Sequence, residues 1–92
     1  MDFKVRIAEE ALAEFEEIIG YSWVNFPEST ARFGNAILDH VALLERFPTL
    51  GSPVPGRPRV RKLLHSPIAV YYTVDMTRGL IEIIQFWHTA RR

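Results

Sequence analysis

The sequence contains no cysteine, which excludes disulfide bridges and thiolate metal sites. A chain without disulfides suits a reducing compartment, and the expected address is the cytoplasm. Long hydrophobic runs are missing too. The uninterrupted apolar stretches span a few residues, far short of the roughly 20 that a membrane-crossing helix needs. The chain opens without the apolar core of a secretory leader, because Lys4 and Arg6 are soon followed by Glu9, Glu10 and Glu14. No Gly-rich phosphate loop, paired-histidine metal motif or nucleophile elbow occurs, so no cofactor or metal is expected. Internal repeats and low-complexity segments are absent as well.

What is present reads as a globular chain, 48% hydrophobic and 24% charged. Its 92 residues give room for a single domain, residues 1–92, with one modest core. The net charge is zero, yet it is unevenly spread: residues 1–45 carry three basic and nine acidic side chains, and residues 46–92 carry eight basic and two acidic. A basic second half suits an acidic or nucleic-acid partner. It equally suits strands solvated by arginine beside helices solvated by glutamate.

Hydrophobic periodicity divides the chain into six elements. Phe3 to Ile7 alternates apolar and basic residues, the mark of a half-buried strand. From Ala8 the period changes: Ala11, Leu12, Phe15, Ile18, Ile19 and Trp23 recur at helical spacing, with Glu9, Glu10, Glu14, Glu16 and Glu17 turned away. The early glutamates favour the positive end of the helix dipole. Pro27 suits the first position of a second helix, whose stripe is Gly34, Ile37, Leu38, Val41, Leu43 and Leu44, with Pro48 as its stop. Thr49 to Pro58, with Gly51, Pro53, Pro55, Gly56 and Pro58, is expected to be a loop. Three strands follow: Arg59 to His65, Ile68 to Val74 and Leu80 to Trp87. The last is the most apolar and is expected at the centre of the sheet. The order β-α-α-β-β-β predicts an α+β fold, a two-layer sandwich in which a helical hairpin covers one face of a mainly antiparallel four-stranded sheet. The other sheet face is left for solvent or a partner.

The candidate site residues come from the basic second half. Arg57, Arg59, Arg61 and Lys62 lie where the first of these strands begins, and alternation places Arg59, Arg61 and His65 on one face. Alternation also groups Leu80, Glu82, Ile84, Phe86 and His88 against Ile81, Ile83, Gln85 and Trp87. Arginines interleaved with aromatic rings on an open sheet can neutralise phosphates and stack bases. As edge charges they would instead block sheet-to-sheet aggregation. Metal-free RNA cleavage would need a base for the ribose 2′-OH, an acid for the leaving oxygen and cations for the developing charge. His88, His65, Tyr71 and Tyr72 are candidates for the proton work, and Arg59, Arg61, Lys62 and Arg91 for the phosphate. Tyr71 and Tyr72 are adjacent, so one is expected in the core and the other outward. Trp23 and Trp87 are expected to anchor the helices on the sheet. His40, His65 and His88 lie on three elements, and the sequence gives no reason for them to converge on a metal.

Three stretches, taken in order, resemble the RelE/ParE toxin superfamily of type II toxin–antitoxin (plasmid-stabilisation) systems. They are Val5 to Ile19; Phe47-Pro48-Thr49-Leu50-Gly51 with the arginine-bearing strand beyond it; and Phe86-Trp87-His88-Thr89-Ala90-Arg91-Arg92. Ile68 to Val74 is similar to the family's tyrosine-bearing apolar strand. The resemblance implies a growth-inhibiting toxin neutralised by a cognate antitoxin that wraps it and ties it indirectly to operator DNA. It also implies one of two targets: DNA gyrase for ParE-like members, or ribosome-bound mRNA, cleaved by RelE-like endonucleases. On the nuclease reading, Arg59, Arg61, His88 and Arg91 are the catalytic candidates. Arg57, Lys62, His65, Tyr71, Tyr72 and Arg92 are the partner-binding ones. The balanced charge and the lack of a tyrosine after Arg92 incline the expectation toward the gyrase-binding branch, with a non-toxic antitoxin-binding module as a further alternative.

Overall fold

The computed structural model describes residues 2–90, apart from the side chains of Ser22 and Trp23. The roles expected of Trp23, Arg91 and Arg92 therefore lie outside the described residues. Strand β1 (Lys4–Ile7) leads into helices α1 (Glu9–Asn25) and α2 (Pro27–Ala42), and a 3-10 turn over Leu43–Glu45 closes the second helix. Strands β2 (Ser52–Val54), β3 (Arg57–His65), β4 (Ile68–Asp75) and β5 (Leu80–His88) follow. The helical hairpin lies on one face of a five-stranded sheet ordered β1-β5-β4-β3-β2. Neighbours are antiparallel except β1 and β5, which run parallel.

The helix boundaries follow local chemistry. Pro27 opens α2 with Phe26 as its N-cap, a position where proline loses no helical hydrogen bond. Thr30 stitches the first turn by donating its hydroxyl to the Phe26 carbonyl at 2.6 Å. Along α2 the buried positions are Thr30, Gly34, Ile37 and Val41, one stripe at three- and four-residue spacing. Leu38 and Leu43, expected in that stripe, are exposed, as is Leu12 on α1. The core between the layers holds Ala11, Ile37, Val41, Leu44, Leu63, Ile68, Val70, Tyr72, Ile81, Ile83 and Phe86, flanked by Val5, Ile7, Phe15 and Ile18.

The structure departs from the sequence expectation at three places. The proline-rich segment is not wholly a loop: Ser52–Val54 forms a fifth, edge strand, and β3 begins at Arg57. Pro53 is tolerated because edge strands leave one side of the ladder unpaired. Pro58 precedes Val60, where pairing with β4 begins, and lies where the β2–β3 register slips. The centre of the sheet is β4, with β5 beside it.

The third departure is a β-bulge. Tyr71 pairs with Gln85 but Tyr72 pairs with Ile83, so Ile84 is an extra residue in β5. An inserted residue reverses the inward–outward parity beyond it. Ile81 and Ile83 therefore share the helix-covered face with Phe86, not with Trp87. Phe86 is 2% exposed and its ring lies 4.9 Å from that of Phe15. Trp87 sits opposite Ala69 on the open face and is 43% exposed. The anchoring role expected of Trp87 thus belongs to Phe86.

Candidate nucleic-acid and partner interface

The register sorts the candidate residues onto the two faces of the sheet. On β3, Arg61, Leu63 and His65 pair with Tyr72, Val70 and Ile68 of the helix-covered face, while Lys62 and Leu64 pair with Tyr71 and Ala69 on the open face. Arg59, Arg61 and His65 do share a side, as alternation requires, but it is the side that carries the helices.

Arg61 is half-buried, and its guanidinium donates to the Gly51 carbonyl at 2.7 Å and reaches the Thr49 carbonyl at 3.5 Å. It thereby holds the segment that links the 3-10 turn to β2. Tyr72, fully buried, grips the same segment: the Gly51 N–H donates to its Oη at 2.8 Å, and its hydroxyl donates to the Pro48 carbonyl at 2.9 Å. Gly51 is required there, because a Cβ would lie 2.7 Å from the Lys62 carbonyl oxygen and 2.8 Å from the Tyr72 ring. Burial pushes the Tyr72 phenol above its ordinary pKa, against the lowering effects of the Gly51 hydrogen bond and the Arg61 charge. A tyrosine in this state holds its proton and acts as a structural clamp.

Arg59 is exposed and borders a groove with Thr49, Arg61, Thr73, Asp75 and Met76 at one end of the sheet. His88 lies at the other end. It is half-buried, it flanks Ile68 in register, and its Nδ1 accepts a 3.3 Å hydrogen bond from the Ala90 N–H. Between the Arg61 level and the His88 level β5 runs from Ile83 to His88, which at about 3.3 Å per residue separates them by more than ~10 Å along the strands alone. Arg59 and Arg61 are brought together; His88 does not join them.

The open face carries a different set. Arg57, Val54, Tyr71, Gln85 and Trp87 line a shallow concavity, with Lys62 beside Tyr71 in the pairing register. Toward β1, Arg6 and Glu82 form an exposed ion pair of 2.7 Å. Val60 and Ala69 are buried on this side although the helices do not reach it. Of the adjacent tyrosines, Tyr72 is the core residue and Tyr71 faces outward, half-buried.

Two features escaped sequence reasoning. The Glu14 carboxylate accepts from the Phe86 N–H at 3.0 Å, on the stretch of β5 beyond Ile83 where its pairing with β1 has ended. His40 of α2 meets His65 of β3 with the two Nδ1 atoms 2.9 Å apart. His40 follows Ile37 by three residues and so faces the sheet, a signal that was legible; its partner is 25 residues away and was not. Among the described residues no group of three or more His, Asp or Glu side chains is placed to hold a metal ion, and no helix is long and apolar enough to cross a membrane.

The sequence profile described as the ParE toxin of the type II toxin–antitoxin system parDE matches residues 5–92. The chain belongs to the ParE toxin family. Its fold is shared with a chain of the chromosomal ParDE toxin–antitoxin system from P. aeruginosa. That likeness has a TM-score of 0.77 at 22% identity and covers 94% of this chain and 95% of that one. A chain of the RelBE2 toxin–antitoxin complex from Mycobacterium tuberculosis is similar too. Its TM-score is 0.68 at 16% identity, with 96% of this chain and 99% of that chain covered. No curated protein matches the sequence. At these identities the likeness to solved structures speaks for the shared α+β fold, and ParE membership rests on the profile.

Proposed function

We propose that this ParE-family chain is a toxin neutralised by a cognate antitoxin and that it acts by binding its target, DNA gyrase, rather than by cutting RNA. The observation that carries the binding mode is the scatter of the nuclease candidates. Proton transfer requires groups within hydrogen-bond reach of one reacting centre. Here Arg61 is engaged by backbone carbonyls, Tyr72 is sealed in the core, and His88 is at the far end of the sheet.

An antitoxin is supported by the apolar surface left uncovered. Leu38, Leu43, Phe47 and Leu50 are exposed along the end of α2 and the segment after it, and a segment that folds on binding can bury such side chains as one helix face. The net positive second half suits an acidic tail on the same partner.

The alternative, a ribosome-dependent mRNA endonuclease, draws support from one feature. Tyr71 and Trp87 lie with Arg57 and Gln85 around the open-face concavity, an arrangement able to stack a base beside a phosphate. Induction in a bacterial host separates the readings. Loss of gyrase supercoiling with intact mRNA supports the binding mode; codon-positioned mRNA cuts with normal supercoiling overturn it. Expression without any growth defect removes the toxin reading altogether.

A further inference from the structure

We propose that the end of β5, from Ile84 to His88, is a docking edge for an extended segment of a partner protein. The segment alternates cationic and apolar side chains and joins the sheet in line with β1. β1 pairs with β5 only as far as Ile7 and Ile83, where the Ala8 N–H donates to the Ile83 carbonyl and the chain turns into α1. β5 runs on to His88. Beyond Ile83 it therefore has β4 on one side and, among the described residues, no strand on the other.

Two hydrogen bonds fix which backbone groups face the open side. The Phe86 N–H points away from β4, to the Glu14 carboxylate at 3.0 Å. The Thr89 N–H points the other way, donating to the Pro67 carbonyl at 2.8 Å. Opposed residues of an antiparallel pair alternate between exchanging both ladder bonds and exchanging none. Trp87 and Thr89 therefore spend their backbone groups on the β4 side, and Phe86 and His88 each turn an N–H and a carbonyl to the free edge. Such a row is a template for strand addition.

The surroundings choose the occupant. A groove along this edge is lined by Glu14, Glu17, Ile18, Phe86, Trp87 and His88. Ile18 and His88 also border a second, more enclosed cavity with Tyr21, Phe26, Phe33 and Pro67. A docked strand's carbonyl takes the Phe86 N–H and displaces the Glu14 carboxylate, which then stands beside the strand with Glu17. Among the described residues no lysine or arginine lines either hollow, so the partner supplies the cation on the side facing α1. Its apolar side chains, on the other side, cover Trp87, which is 43% exposed. The outer edges of the sheet suit this segment poorly. β2 contains Pro53, which has no N–H to give, and pairs with Arg57 and Arg61; β1 bears the exposed Lys4 and Arg6. The segment is opposite in charge to the acidic one that suits the strand-rich half, and the inference does not depend on the toxin's target.

The isotopically labelled full chain is titrated by NMR to millimolar concentrations of the peptide acetyl-Lys-Val-Lys-Val-Lys-Val-amide. The same titration is run with its Glu-Val counterpart and with two Lys-Val peptides, N-methylated at the lysines or at the valines. The Lys-Val peptide should shift the Phe86 and His88 amides most and slow hydrogen exchange at His88. The Glu-Val peptide should bind at least about tenfold more weakly. One N-methylation pattern should abolish binding and the other be tolerated, because only one parity of a docked strand faces the sheet. Glu14→Gln/Glu17→Gln should weaken Lys-Val binding about tenfold, with circular dichroism confirming its fold. If that variant unfolds, the contrasts among peptides on the wild-type chain decide. Equal response to Lys-Val and Glu-Val, tolerance of both N-methylation patterns, or shifts that leave Phe86 and His88 untouched overturns the proposal. A chain that dimerises through these two amides without peptide overturns it in favour of a second copy.

Discussion

Tyr72 ties the core to the segment that precedes β2. It closes the core on the helix-covered face, and its hydroxyl joins Gly51 to Pro48. Tyr72→Phe keeps the ring but strands the buried Gly51 N–H and the Pro48 carbonyl. The expected cost is about 1–3 kcal/mol, read as a lower urea midpoint with an unchanged slope. Gly51→Ala drives a Cβ into the Lys62 carbonyl and the Tyr72 ring and should cost a similar ~1–3 kcal/mol. Because both substitutions break one arrangement, the double variant should lose less than the sum of the singles. The raised phenol pKa has a consequence of definite sign. The folded chain holds this proton more tightly than the unfolded chain, so the stabilisation is whole below the ordinary tyrosine pKa of about 10 and drains away as pH climbs past it. Urea titrations at increasing alkaline pH should therefore fall more steeply for the wild-type chain than for Tyr72→Phe. Equal slopes would remove Tyr72 from the alkaline transition.

At the scale of elements, what was legible in the sequence was what has a period. The two helices, the opening strand and the three later strands each carry a repeating apolar pattern, and Pro27 marks the start of α2 where the structure has it. Two features have no period. β2 is three residues long and contains Pro53, so its ladder bonds depend on β3 lying alongside. The bulge is one extra residue, Ile84, in an apolar run where either parity looks equally good. That residue exchanged Phe86 for Trp87 in the core, and with it the composition of the open face. The β3 arginines show a separate limit: alternation puts Arg59 and Arg61 on one face, but only the pairing with β4 shows that the face is the helical one. Glu14 of α1 covers β5 where β1 no longer pairs with it. Its carboxylate takes the Phe86 N–H, and Glu14→Ala should leave that amide unpaired at a cost of about 1–3 kcal/mol. Glu14→Gln retains an acceptor oxygen and should recover most of the loss. Hydrogen exchange at the Phe86 amide is the direct readout, faster in the alanine variant and near wild type in the glutamine one. If exchange at Phe86 is the same in all three chains, the carboxylate does not hold that amide.

Across the whole molecule, zero net charge hides a dipolar distribution. Residues 1–45, mainly the helical layer, hold nine of the eleven acidic side chains, and residues 46–92, mainly strands, hold eight of the eleven basic ones. A partner meeting the open sheet face therefore meets Arg57 and Lys62 around an aromatic concavity, with the helical glutamates on the far side of the sheet. Electrostatic steering depends on the local field at the docking surface and not on the net charge, so association should be salt-sensitive despite the balance. Both residues are exposed and neither has a charged partner among the described ion pairs, so reversing them leaves the core untouched. For the ParE-type toxin proposed above, the double variant Arg57→Glu/Lys62→Glu should slow association with an acidic partner by about tenfold at low salt. Dissociation should change much less, because exposed charges guide the encounter more than they hold the complex. Stopped-flow rates against a cognate antitoxin over a sodium chloride series test this: the two association curves should converge as salt screens the field. A gap that persists undiminished at high salt would mean that Arg57 and Lys62 act through direct contacts in the bound complex. No difference at any salt would move the docking surface away from the open face.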